Sequence, residues 1–103
     1  MAYHAHNRWG HRESDITEAQ MKKLLAQLDI EDEEHHSVSL THESEWCLGA
    51  YPGGLVVWEN LEQGEPRHMK SVSREHVLKL WLQLAQGNLV ALEQEPWRPG
   101  YGN

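Results

Sequence analysis

Apolar residues recur along this chain in two rhythms, one of period near 3.6 and one of period 2. In TEAQMKKLLAQLD, Met21, Leu24, Leu25 and Leu28 fall on one face at helical spacing, and Thr17 followed by Gln20 makes a capping-box pattern, so a short amphipathic helix is predicted. The run DIEDEEHH then sets five acids within six residues against the negative end of the helix dipole, which predicts a stop near Leu28 or Asp29 followed by a solvated loop. SVSLT switches to alternation, with Val38 and Leu40 inward and Ser37, Ser39 and Thr41 outward, as in a half-buried strand. WCLGAY and LVVWEN flank Pro52-Gly53-Gly54, where proline presets the first turn position and Gly54 suits a left-handed one, so these segments read as a hairpin. PRHMKSV reads as a fourth strand, with Pro66 as its first residue or at an edge.

The helical period returns in SREHVLKLWLQLAQG, bounded by Ser73 as N-cap and Gly87 just past the C-terminus. Its apolar residues Val77, Leu78, Leu80, Trp81, Leu82, Leu84 and Ala85 cover more than half the circumference, so this helix must be buried on more than one side. NLVALEQE reads as a further short helical turn capped by Asn88, and PWRPGYGN as a tail that Trp97 and Tyr101 pin down. The expected architecture is a single α+β domain over residues 15–97, a three- or four-stranded antiparallel sheet with helices mainly on one face, in the order α-β-β-β-(β)-α-α. Residues 1–14 lack an apolar period and are expected as a flexible His-rich arm with Tyr3 or Trp9 as anchors, and residues 98–103 as a C-terminal tail.

The hairpin pattern also predicts its own register. Ala50 faces Val56, Leu48 faces Trp58 and Trp46 faces Asn60, which makes that face the core candidate. The opposite face carries Cys47, Gly49, Tyr51, Leu55, Val57 and Glu59 and is still largely apolar, so a second cover is expected, from a helix, the tail or a partner.

Charge narrows the picture. The 103 residues carry a net charge of −7, and between Leu24 and Pro66 there are ten acids and no Lys or Arg. From Arg67 to Lys79 the sign reverses, with Arg67, Lys70, Arg74 and Lys79 against Glu75. A negative surface is repelled by phosphate backbones and attracts cationic partners, so nucleic acid is disfavoured and a basic protein partner favoured. One cysteine cannot close an internal disulfide, no apolar run suits a signal peptide and none approaches a membrane span, so a cytoplasmic protein that neither crosses nor binds a membrane is expected.

Candidate chemistry is sparse, and no cofactor is expected. The histidines show no metalloprotease spacing, and one cysteine cannot build a thiolate zinc site. His35 and His36, beside Glu33, Glu34 and His42, read either as an adventitious metal cluster or as a pH-responsive loop. With Met1 removed, Ala2-Tyr3-His4 would offer an amine, two backbone nitrogens and the His4 imidazole, a donor set suited to square-planar copper or nickel as an incidental site. Cys47 sits mid-strand, where a cysteine is usually a small hydrophobe, and a nucleophile paired with His42 or His68 is the competing reading.

The order helix, hairpin-rich sheet, helix, with YPGGLVVWEN and the acidic centre, resembles the tryptophan-containing α+β group of small immunity proteins of bacterial polymorphic toxin systems over residues 37–97. The resemblance implies binding and blocking of a cognate toxin without catalysis. The functional expectation is a non-enzymatic binding protein, immunity- or regulator-like, with Tyr51, Glu59 and Glu62 as partner-binding residues. The alternatives are a self-associating structural protein, whose acidic block in one copy meets the basic stretch of another, and a small enzyme using Cys47 and a histidine.

Overall fold

Capping residues and alternation place most of the elements. Strands β1 (Tyr3–His6), β2 (Arg12–Ser14), β3 (Val38–His42), β4 (Trp46–Ala50), β5 (Val56–Asn60), β6 (Arg67–Met69) and β7 (Arg98–Pro99) accompany helices α1 (Glu18–Ala26), α2 (Arg74–Ala85) and α3 (Leu89–Glu93). This is a computed structural model in which residues 2–29 and 37–102 are described. The strands form one antiparallel sheet in the order β2-β1-β3-β4-β5-β6-β7.

The α+β class stands, and the expected three or four strands are corrected to seven among the described residues. The three additional strands lie in the segments expected as arm and tail. Residues 1–14 contribute β1 and β2, and β1 is interior to the sheet, with Ala5 paired to Leu40 and fully buried. Only Tyr3 and Ala5 mark the inward face of YHAH, and neither is strongly apolar, so hydrophobic periodicity missed a strand whose place is fixed by backbone pairing on both sides. The β1–β2 connection is held from below as well: buried Arg8 donates to the carbonyl of Gln27 at the end of α1. In the tail, β7 pairs with β6 at Arg67 and His68, so β6 is interior to the sheet and Pro66 precedes it.

The helix ends match their sequence signals. Thr17 accepts from the Gln20 amide at 3.2 Å while Gln20 accepts from the Thr17 amide at 2.8 Å, closing the capping box. A 3-10 turn, Gln27–Asp29, finishes the first helix where the acidic run begins. Ser73 and Asn88 cap α2 and α3 by accepting from His76 and Ala91.

All three helices pack on one face of the sheet. The core cluster joins Met21, Leu24 and Leu25 of α1, Val77, Leu80, Trp81 and Leu84 of α2, and Leu92 of α3 to Ala5, Val38, Leu40, Leu48, Ala50, Val56 and Trp58 from the strands. Helix α2 lies on β3 and β4 with α1 and α3 at its flanks, which accounts for its broad apolar surface. The Trp81 indole donates to the Leu48 carbonyl at 3.0 Å, fixing the helix against the middle of the sheet.

The β4–β5 hairpin has the predicted register, Ala50 to Val56, Leu48 to Trp58 and Trp46 to Asn60. Gly54 sits at φ +86°, and a Cβ there would come within 3.1 Å of the backbone at Ser71 and Val72, so the turn requires glycine for both conformation and space. Its carbonyl accepts from the Val72 amide, joining the hairpin tip to the segment before α2.

Candidate functional site: the acidic end of the sheet

The β3–β4 turn and the β5–β6 loop meet at one end of the sheet. The Leu61 amide donates to the Glu45 carbonyl at 2.9 Å, Asn60 Nδ2 reaches the Ser44 carbonyl at 3.3 Å, and the Glu62 amide donates to Asn60 Oδ1 at 3.0 Å. The N-terminal strand closes the side: the Ala2 amide donates to Glu43 Oε2 and the Glu43 amide to the Ala2 carbonyl. These bonds hold the backbone of Glu43, Glu45, Leu61 and Glu62 at this end of the sheet, and the residue surface of Leu61 is 55% exposed. Beside them lies a cleft of about 390 Å³ whose walls include His4, Arg12, Asp15, Glu45 and Leu61.

Two of the wall residues hold unusual backbone conformations. Asp15 has φ 51° and Glu45 φ 72°, the left-handed region that glycine adopts most easily. The tight turn, with the Glu45 amide bonded to the His42 carbonyl, imposes this on Glu45, at a cost of about 1–2 kcal/mol for a side chain with a Cβ. Within the same cleft the His4 imidazole is pushed below its ordinary value, first by burial and then by Arg12 and His6, against the pull of Glu45.

Of the residues expected from sequence, Glu62 lies in this group. Glu59 and Tyr51 share the helix-free face, but Tyr51 stands opposite Leu55, about 13 Å along β5 from Glu59 and further still from Glu62. Glu59 is half-buried and accepts from the Tyr101 hydroxyl at 3.0 Å, which pushes that phenol up. His4 lies on the same face with its ring edge-on to His6, centroids 5.1 Å apart. Successive backbone nitrogens in β1 point to opposite sides, so a planar copper or nickel chelate at Ala2-Tyr3-His4 would have to pull this segment out of the sheet. No group of three or more metal-ligating side chains occurs among the described residues, and His35, His36, Glu33 and Glu34 lie outside them.

Cys47 is brought to neither histidine. It points to the helix-free face, whereas His42 points to the helix side, and His68 is two strands away, about 12 Å between Cα positions from the strand spacing. Burial pushes the thiol up; a hydrogen bond with Thr41 opposes this, the Glu59 carboxylate adds to it, and a Ser39 hydrogen bond opposes it again. The expected second cover of this face comes from the chain itself. His68 Nδ1 bonds the Gly100 carbonyl at 3.0 Å, Tyr101 reaches Glu59, and Gly102 packs so closely that a Cβ there would be 2.8 Å from Leu55 Cδ1.

Leu61, Glu43 and Glu45 were not singled out by sequence reasoning. A lone leucine between Asn60 and Glu62, after the alternation of the strand has ended, is the signal that points to an apolar side chain without a core position. Comparison of the chain with protein-family models, with curated proteins and with solved structures gave no match. No helix among the described residues is long and apolar enough to cross a membrane.

Proposed function

We propose that this is a non-enzymatic binding protein that engages a basic protein partner with the acidic end of its sheet, in the manner of an immunity or regulatory protein. The observation that carries the reading is Leu61, exposed next to Glu62 and bonded through its amide to Glu45, on the same end of the sheet as Glu43 and on backbone that is already hydrogen-bonded in place. An apolar anchor inside a charged rim is the anatomy of a protein interface, and carboxylates held on rigid turns lose little conformational entropy on binding. Glu45, Glu62 and Glu65 enter no ion pair among the described residues, so their field is available to a cationic surface.

Electrostatic self-association has less support. Two of the four cations in the basic stretch are engaged within the chain: Arg67 with Glu93 at 2.6 Å and Arg74 with Asp29 at 2.8 Å. Lys70 and Lys79 enter no ion pair among the described residues.

The test is affinity capture from extract of the source cells with the wild type and with a Glu45→Lys, Glu62→Lys double variant, at low and high salt. The expected result is one or more basic proteins recovered by the wild type, reduced by the double reversal, with the difference shrinking as salt screens the charges over about 8–10 Å. Identical recoveries with both baits at both salts would refute the reading.

A further inference from the structure

A second cleft, of about 400 Å³, opens at the other side of the sheet between β6 and the chain leading into β7, lined by His68, Met69, Lys70, Pro96 and Arg98. Its chemistry is the reverse of the acidic end. His68 and Arg98 are directly paired across β6 and β7, so their side chains share a face, and Lys70, just past the end of β6, also lines the cleft. In a chain of net charge −7, this cleft has no carboxylate among its described lining residues. Arg67 and Arg74 are each matched by an acid, whereas Lys70 and Arg98 enter no ion pair among the described residues. Two cations lining one cleft repel each other, and a bound anion relieves that repulsion.

The floor is built as well as charged. His68 is only 7% exposed, and its Nδ1 faces the Gly100 carbonyl at 3.0 Å. A carbonyl can only accept, so Nδ1 carries the proton and this bond fixes the ring.

We propose that this β6–β7 cleft binds the phosphate group of a small molecule. Arg98 supplies a planar fork of donors, Lys70 a compact mobile charge, and His68 a buried, oriented wall. The volume falls in the range of small-ligand sites and is independent of the surface assigned to the protein partner.

The experiment is a titration of isotopically labelled protein with inorganic phosphate at constant ionic strength, followed by amide chemical shifts. Saturable shifts confined to residues near Met69, Lys70 and Arg98 are expected. They should weaken by at least about tenfold in a Lys70→Gln, Arg98→Gln double variant and persist in Lys79→Gln, which removes one exposed cation from α2. Both sets of side chains are exposed, so folding is not at stake, and the untouched amide pattern of the variants verifies it. Shifts that grow linearly without saturating, or equal affinities in wild type and the double variant, would overturn the site. A phosphorylated peptide that binds where inorganic phosphate does not would overturn its assignment to a small molecule.

Discussion

The two faces of the β4–β5 hairpin are made by the same ten residues and are covered by different means. On the helix side, Leu48, Ala50, Val56 and Trp58 are sealed by α2 and α3, and Trp58 is stacked between Trp46 and Trp97 at centroid distances of 4.6 and 6.0 Å. On the other side no helix is present among the described residues, yet Val57 is 3% exposed and Cys47 is also buried. There the cover is three residues of tail, fastened at His68, Glu59 and Leu55, with Val57 lying between the last two. The difference shows that an antiparallel sheet with two apolar faces does not require a partner when a short terminal segment can strap one of them. Charges with no ion-pair partner among the described residues lie at the sheet end and at the β6–β7 edge.

The contrast is broken most severely from the helix side. Trp58→Ala removes the middle ring of the tryptophan stack and its indole contact with Glu93, and should destabilise the protein by about 3–5 kcal/mol in denaturant melts. Truncation after Pro99 strips the strap from the other face, and the loss should be smaller, about 1–3 kcal/mol, with Cys47 becoming faster to react with a thiol reagent. If the truncation costs as much as Trp58→Ala, the two faces are equally core and the contrast fails.

A smaller effect sharpens the edge of the helix-side packing. Arg67 holds the Glu93 carboxyl below its ordinary value, chiefly through their hydrogen bond. A depressed carboxylate stabilises the fold above its unfolded value and loses that contribution as pH falls through the folded one. Glu93→Gln should therefore flatten the acid limb of stability against pH. At neutral pH it should cost no more than about 1 kcal/mol, because the pair is partly open to solvent. Melts at neutral and acidic pH compare the two proteins, and an unchanged acid limb would show that the pair contributes nothing.

Much of this architecture was legible because it rests on local signals. Thr17 with Gln20, Ser73, Asn88 and the glycines of the hairpin turn each fix an element end by hydrogen bonds or backbone conformation within a few residues, and the hairpin register follows from its turn. The strands at Tyr3–His6, Arg12–Ser14 and Arg98–Pro99 were not legible, because they are short and weakly apolar. Their conformation comes from pairing with strands far away in sequence, which periodicity does not report. The candidate site divides in the same way. The acidic excess was visible in the sequence, and so was Glu62. The grouping of Glu43 and Glu45 with Leu61 depends on the bond between the Leu61 amide and the Glu45 carbonyl, a tertiary contact with no sequence signature.

Whether Leu61 and the neighbouring carboxylates face a basic partner is tested by site-specific photo-crosslinking in the source cells. A photoreactive residue at position 61 is compared with one at position 79, an exposed site on α2. The account predicts a discrete adduct with a basic protein from position 61, absent from position 79 and lost when Glu45 and Glu62 are reversed to lysine. No adduct at position 61, the same adducts from both positions, or an adduct with a second copy of this chain would contradict it.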